Sequence, residues 1–107
     1  MVVGKRFELI YDREVRRHLA KIERRYHSLI RREIESSLTY EPETETRNRK
    51  PLSRPSVFGT AWELRFGPDN CFRVFYRADL ESREVYVLAI GVKQGSRLFI
   101  GGKEFQL

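Results

Sequence analysis

The chain has 107 residues, enough for one domain, 1–107, with a single modest hydrophobic core. Hydrophobic residues make up 40% and charged residues 34% of the sequence, a balance typical of a soluble globular protein rather than of a disordered chain. The 21 Lys and Arg residues outnumber the 15 Asp and Glu residues, giving a formal net charge of +6. This excess favours an anionic partner such as nucleic acid about as much as it favours a surplus of solvated arginines.

The sequence also indicates the compartment of the protein. Its single cysteine, Cys71, excludes an internal disulfide and fits a reducing compartment. The first residues lack the long apolar core of a signal peptide, and no segment reaches the roughly 20 apolar residues of a membrane-spanning helix. We therefore predict a cytoplasmic protein that does not associate with a membrane.

The first third of the chain predicts a strand followed by helical structure. Residues 6–11, RFELIY, form an apolar run suited to a strand, and Asp12 is the predicted N-cap of the helix that follows. Apolar residues then recur at steps of three and four, which defines one helical stripe: Val15, Leu19, Ile22, Tyr26, Leu29, Ile30, Ile34 and Leu38. Region 13–38 is compatible with one long helix, but a domain of this size favours two, with a bend near 24–28.

A loop-like segment follows at residues 39–56. Three of the four prolines lie in it, together with very few apolar residues. Its second half is basic and is equally compatible with a solvated loop and with a segment that follows the phosphates of a nucleic acid. The basic residues of this half are Arg47, Arg49, Lys50 and Arg54.

Residues 62–102 predict an antiparallel meander. Three runs of β-forming residues are separated by the turn signals GPDN (67–70) and DLESRE (79–84). Side chains alternate along a strand, so Trp62, Leu64 and Phe66 share one face of the first strand, and Phe72, Val74 and Tyr76 share one face of the second. The opposite face, which we call the polar face, carries Glu63, Arg65, Arg73, Phe75 and Arg77. A last short strand is predicted at 97–100, before a Gly101–Gly102 turn.

Several kinds of catalytic site have no counterpart in this sequence. It contains no phosphate-binding loop, no dinucleotide-binding fingerprint and no Cys or His cluster with metal-ligand spacing. His18 and His27 are predicted to be ordinary surface or helix-packing residues. We therefore predict no metal and no cofactor, and an enzyme of this composition would have to use Arg, Lys, Glu and Tyr.

Such residues are sufficient to cleave RNA. The reaction needs a base for the ribose 2′-hydroxyl, cations for the phosphorane, and an acid for the departing 5′-oxygen. Arginine suits the second task because its planar fork binds two phosphate oxygens. Glu63 and Arg65 face the same side, and Arg73 joins them across the predicted hairpin. A row of exposed cross-strand ion pairs would give the same pattern.

Phe75 lies between Arg73 and Arg77 on the polar face. An exposed aromatic side chain between arginines can stack on an unpaired base. A phenylalanine covered by a loop or helix would appear the same in the sequence. Both interpretations of Phe75 therefore stay open at this point.

The chain resembles the RelE/ParE superfamily of bacterial type II toxins along nearly its whole length. The order of a strand, two helices, a basic connection and a meander fits, and so do five short segments. These segments are TRNRKPL (46–52), WELRF (62–66), FRVFY (72–76), VLAIGVK (87–93) and LFIGG (98–102). The resemblance implies an α+β fold of the microbial-ribonuclease-like, RelE-like kind, β-α-α-β-β-β, with an antiparallel meander packed against two N-terminal helices.

The resemblance also implies catalytic residues. Arg73 matches the arginine in the family's YR-hydrophobic-hydrophobic-Y pattern, and Lys93 matches a basic residue that follows the last long strand. Glu63 and Arg65 occupy the places of two basic residues that serve as base and phosphate ligand. Glu63 reverses the charge there, although a carboxylate could itself act as the base. The predicted catalytic residues are Glu63, Arg65, Arg73 and Lys93.

One departure from the family concerns the general acid. The family's C-terminal tyrosine falls near Phe99, which can stack on RNA but cannot give a proton. Lys93, Arg97 or a water would have to serve instead. The residues predicted to bind RNA are Arg47, Arg49, Lys50, Arg54, Phe75, Arg77, Arg97 and Phe99.

The resemblance leaves three functions open. The favoured one is a ribosome-dependent endoribonuclease that cuts mRNA without a metal, and its partners would be the ribosome and mRNA. The second is a ParE-like toxin that inhibits DNA gyrase without catalysis, and the third is a toxin that has lost its activity. All three imply a cognate antitoxin protein, which would bind the flank of the helical stripe and the polar face.

Overall fold

The fold is α+β, with one antiparallel meander and two helices, and a computed structural model describes residues 5–53, 57–59 and 61–106 of the chain. The helices are α1 (Val15–Ala20) and α2 (His27–Leu38). The strands are β1 (Glu8–Tyr11), β2 (Arg49–Pro51), β3 (Trp62–Phe66), β4 (Phe72–Asp79), β5 (Glu84–Gln94), β6 (Arg97–Ile100) and β7 (Lys103–Phe105). The order of the strands is β2-β3-β4-β5-β6-β7, antiparallel throughout, and β1 adds a parallel pair to β5.

The helical region is divided in two, as the sequence favoured. α1 ends at Ala20, a short 3₁₀ turn spans Arg24–Tyr26, and α2 begins at His27. The imidazole Nε2 of His27 lies 2.9 Å from the carbonyl oxygen of Ile22 and so links the start of α2 to the segment that follows α1. In the described part of the chain no helix is long and apolar enough to cross a membrane.

The start of α1 differs from the prediction. The N-cap residue is Glu14 rather than Asp12. Asp12 instead accepts a hydrogen bond at its Oδ1 from the Glu14 N–H (2.9 Å), and its carbonyl accepts one from the Val15 N–H (2.9 Å). Asp12 therefore stabilises the turn before the helix, a role that short acidic side chains also favour.

The main core lies between the helices and one face of the sheet. The helical stripe supplies Val15, Ile22, Ile30, Ile34 and Leu38, and the meander supplies the alternate residues predicted for its apolar face, among them Leu64, Phe66, Phe72, Val74 and Tyr76. Both sets are buried in this core. The helical period therefore identified its helix side correctly, and the strand period identified its sheet side. The polar face therefore lies on the side of the sheet away from the helices.

His18 is the polar member of the helix–sheet layer. It is buried, and its Nδ1 accepts a hydrogen bond from the Ile90 N–H (3.2 Å), which ties α1 to β5. Burial, followed by the neighbouring Arg17 charge, lowers the pKa of His18. Of the two ordinary roles predicted for His18, surface or helix packing, the structure shows helix packing.

The meander is antiparallel, as predicted. Leu64 pairs with Val74 and Arg65 with Arg73, while β4 and β5 pair along their lengths with one shift between Phe75 and Tyr76. The GPDN turn begins with Gly67 at φ +84°, where a Cβ would lie 2.4 Å from the Phe72 ring. A larger residue would therefore displace that ring and open the β3–β4 hairpin.

Two short strands were not predicted. β2 lies inside the segment assigned to a loop and pairs with β3, and β7 follows the Gly101–Gly102 turn and pairs with β6. β7 adds Phe105 to a second, smaller core on the polar face, around Phe75 and Ala89. This second core, which we call the aromatic lid, also takes Leu52 and Phe58 from the long connection before β3.

Candidate functional site

The four predicted catalytic residues lie on the same face of the sheet. Arg65 pairs with Arg73 across β3 and β4, and Arg73 pairs with Gly91 on β5. Glu63 precedes Arg65 by two residues, and Lys93 follows Gly91 by two, so both have the same orientation as the arginines. The prediction that Arg65 and Arg73 share a surface is confirmed.

Glu63 joins the two arginines. Its Oε1 lies 2.7 Å from Nε of Arg65, and its Oε2 lies 3.5 Å from Nη1 of Arg73. The side chains of Glu63 and Arg73 are only 7% and 10% exposed, whereas that of Arg65 is 44% exposed. The sequence allowed Glu63 to be a catalytic base or one member of a row of exposed ion pairs. It pairs with both arginines, and the network is largely buried, unlike the exposed row considered as the alternative.

Arg73 is fixed from two directions. Its Nε donates a hydrogen bond to the carbonyl oxygen of Asn70 (3.0 Å), which leaves its terminal nitrogens for Glu63 and the solvent side. Asp69 and Asn70 both have φ +52°, a left-handed conformation that Asp and Asn tolerate better than most residues. The carbonyl oxygen of Cys71 accepts a hydrogen bond from the Lys93 N–H (2.7 Å). The GPDN turn therefore positions Arg73, and Cys71, which follows the turn, positions the β5 segment that carries Lys93.

A cleft of about 340 Å³ opens beside this network. Glu63, Arg73 and Lys93 line it from the sheet, and the turn and hairpin that follow β5 close its other side. The residues from that side are Ser96, Arg97, Leu98, Glu104, Phe105 and Gln106. Sequence reasoning missed Ser96, Glu104 and Gln106. The Gly101–Gly102 turn, which returns the chain to β6, was the signal that could have indicated β7 and with it Glu104.

Arg97 lies at the rim of the cleft, in an ion pair that the sequence did not predict. Its Nη2 is 2.7 Å from Oε1 of Glu104, and its guanidinium lies 5.3 Å from the centre of the Phe99 ring. The hydrogen bond between the two charged groups raises the pKa of Arg97 and lowers that of Glu104. Arg97 and Glu104 share the face of Phe99 by strand alternation, so this exposed pair borders the cleft from the face opposite to that of Lys93.

Phe99 does not join the catalytic group. It pairs with Val92, which pairs in turn with Phe72, so it lies on the helix-covered side of the sheet. There it borders a small cavity together with His18 and Lys21. The sheet therefore separates Phe99 from Arg73, and RNA binding by Phe99 stays a prediction.

Phe75 does not present an aromatic face to solvent. It is fully buried in the aromatic lid and stacks on Phe58, with ring centres 5.4 Å apart. Of the two interpretations that the sequence left open, the core position is the one found. Arg77 is exposed, and its guanidinium carbon lies 4.5 Å from the centre of the Tyr86 ring. Phe75 lies between Arg77 and Arg73 along this face of β4. The prediction that Phe75 binds RNA is therefore wrong for this arrangement.

The basic residues of the 39–56 segment diverge. Lys50 is exposed and pairs with Glu63, so it lies on the polar face, and Arg47 is exposed in the turn before β2. Arg49 pairs with Leu64 and therefore faces the helices, where its Nη1 donates a hydrogen bond to the carbonyl oxygen of Ser37. Arg49 is thus separated from the other predicted RNA ligands, and Arg54 lies outside the described residues.

The chemistry available in the cleft is that of the cations Arg73, Lys93 and Arg97 with two carboxylates, Glu63 and Glu104. Arg73 and Lys93 can hold the non-bridging oxygens of a phosphate, and Lys93 can also give a proton. Both oxygens of Glu63 are already bound to guanidinium groups, so any role of this carboxylate as a base would compete with two ion pairs. In the described part of the chain no group of three or more His, Cys, Asp or Glu could hold a metal ion.

Comparison with known proteins does not identify a family. No protein-family model matches the chain, and no curated protein is significantly similar to it.

Proposed function

We propose that this protein is the toxin of a type II toxin–antitoxin system and cleaves mRNA on the ribosome, as RelE-like toxins do. The observation that supports the proposal most is the convergence of Arg73, Lys93 and Glu63 in one cleft, on the side of the sheet that the helices leave free. The residues supply the cations and the titratable groups that cleavage through a 2′-hydroxyl requires. The protein partner of such a toxin would be a cognate antitoxin.

Each residue has a defined role in the proposed reaction. Arg65, which is the most exposed member of the network, turns from Glu63 to the scissile phosphate and frees Oε1. Glu63 takes the 2′-hydroxyl proton, the O2′–P bond forms, and the P–O5′ bond breaks. Arg73 and Arg65 stabilise the phosphorane, and Lys93 gives a proton to the departing O5′. The products are a 2′,3′-cyclic phosphate and a 5′-hydroxyl.

Primer extension on cellular mRNA after expression in a bacterial host tests this function. We expect new 5′ ends with the wild-type chain and at least about 10²-fold fewer with Arg73→Lys, which keeps the charge but loses the bidentate fork. Lys93→Ala, at a less buried position, should also reduce cutting. Arg32→Ala on the exposed side of α2 is the matched control and should cut normally. Growth arrest by the wild-type chain without new 5′ ends would contradict the proposal.

A ParE-like inhibitor of DNA gyrase is the second candidate, and one observation favours it. Both oxygens of Glu63 are bound to arginines, and Phe99 lies on the far side of the sheet, so neither a free base nor the aromatic residue that the resemblance points to faces Arg73. Such a toxin would use the cleft or the helices for binding only. Inhibition of supercoiling by purified gyrase, with cellular mRNA left whole, would reverse our order of the two functions.

A further inference from the structure

The Arg65–Glu63–Arg73 network holds two positive charges next to each other on the sheet. Arg65 and Arg73 are directly opposite each other on neighbouring antiparallel strands. Like charges at such positions destabilise the pair unless an anion lies between them. Glu63 supplies that anion, and it binds one guanidinium through each of its oxygens.

A phosphate group can bind two arginines in the same way, with one oxygen on each guanidinium. A phosphate and a carboxylate both offer two oxygens to the guanidinium fork, and a phosphate carries at least as much negative charge. The two arginines are also unequal. Arg73 is 10% exposed and held by the Asn70 carbonyl, whereas Arg65 is 44% exposed and has more room to turn. The exposed arginine is therefore the one that can exchange partners.

We propose that Glu63 is an internal counter-ion that occupies a phosphate site formed by Arg65 and Arg73, and that an incoming phosphate group replaces its carboxylate there. The intact network thus holds the site in a self-inhibited state, and RNA must compete with Glu63 for the arginines. The inference deepens the proposed function and rests on it only for the identity of the ligand as an RNA phosphate.

Titration with inorganic phosphate, followed by calorimetry, tests the competition directly. Glu63→Gln keeps the size of the side chain and removes its charge, so this variant should bind phosphate about tenfold more tightly than the wild-type chain, or better. The matched control is Glu104→Gln, which removes a carboxylate that binds a single, exposed arginine. Equal affinity of Glu63→Gln and wild type, or an equal gain in Glu104→Gln, would overturn the proposal.

A second measurement uses the wild-type chain and so does not depend on the folding of the variant. Nitrogen-detected spectra of the arginine Nε–H groups should show the Arg65 and Arg73 signals shifting together as inorganic phosphate is added. Movement of neither signal, or of Arg65 alone, would also overturn the proposal, because the site requires both arginines.

The two proposals can fail separately. Tight phosphate binding by Glu63→Gln, together with intact mRNA in cells that express the wild-type chain, supports the internal counter-ion and contradicts the nuclease. Cleavage by the wild-type chain, together with no gain in affinity in Glu63→Gln, supports the nuclease and contradicts the counter-ion.

Discussion

Arg73 and Phe75 lie two residues apart on the same face of the same strand, yet their surroundings are opposite. Phe75 is fully buried in the aromatic lid, together with Phe58 and Phe105. Arg73 is nearly as buried, but it lies in a charged network at the edge of the cleft. Alternation along a strand determines which face a side chain occupies. What covers that face is decided by segments far away in the chain.

The two regions also owe their stability to different interactions. Around Phe75 the favourable term is apolar area removed from water, and the stacked rings add to it. Around Arg73 each charge must be balanced by a neighbour, because an unpaired buried ion is strongly unfavourable. Removal of a partner side chain should therefore change the free energy of unfolding for different reasons in the two regions.

The largest effect is expected from Phe75→Ala. Truncation of a fully buried phenylalanine leaves a cavity in the lid, and the free energy of unfolding should fall by about 4 kcal/mol in denaturant titrations. Val57→Ala is the matched control, because Val57 lies beside Phe58 in the connection before β3 but is 67% exposed. A loss below about 1 kcal/mol for Phe75→Ala would show that the lid does not pack on β4 in solution.

Glu63→Ala should have the next largest effect, and a second substitution should reverse much of it. Removal of the carboxylate leaves Arg73 buried beside Arg65 without a counter-ion, and the expected loss is about 3 kcal/mol. Adding Arg73→Met to Glu63→Ala removes the stranded charge and should restore most of the stability.

Unfolding of the two single variants and the double variant in urea measures this coupling. Additive losses would mean that Glu63 and Arg73 do not depend on each other, and the charged region would then resemble an ordinary exposed surface.

Much of the fold could be predicted from the sequence, because the signals for it are local. The helical stripe from Val15 to Leu38 and the strand alternation on either side of the GPDN turn are periodic patterns, and both describe the buried layer correctly. β7 could not be predicted in the same way. Its three residues carry no period of their own, and it forms because the Gly101–Gly102 turn returns the chain to β6.

The candidate site was predictable only where it depends on a single hairpin. Arg65 and Arg73 were placed together because the turn between their strands sets the register. Arg49 was misplaced because its face depends on a register with β3 that no short turn defines. Phe99 was assigned from the family resemblance, whereas the short turn between β5 and β6 pairs it with Val92 on the helix side. The burial of Phe75 depends on a lid contributed by three separate segments, and no pattern within β4 encodes it.

The smallest effect is expected from Arg97→Ala, and it completes the comparison of the two regions. Arg97 forms an ion pair with Glu104 that is shorter than the Arg73–Glu63 contact, 2.7 Å against 3.5 Å, but its side chain is 62% exposed. Water and salt screen an exposed pair, and two flexible side chains must be ordered to form it. The urea midpoint should therefore not change measurably, in contrast to Glu63→Ala, and the same should hold for Glu104→Ala. A clear fall in the midpoint for either variant would mean that the β6–β7 hairpin depends on this pair, and that distance rather than burial ranks the charged contacts of the cleft.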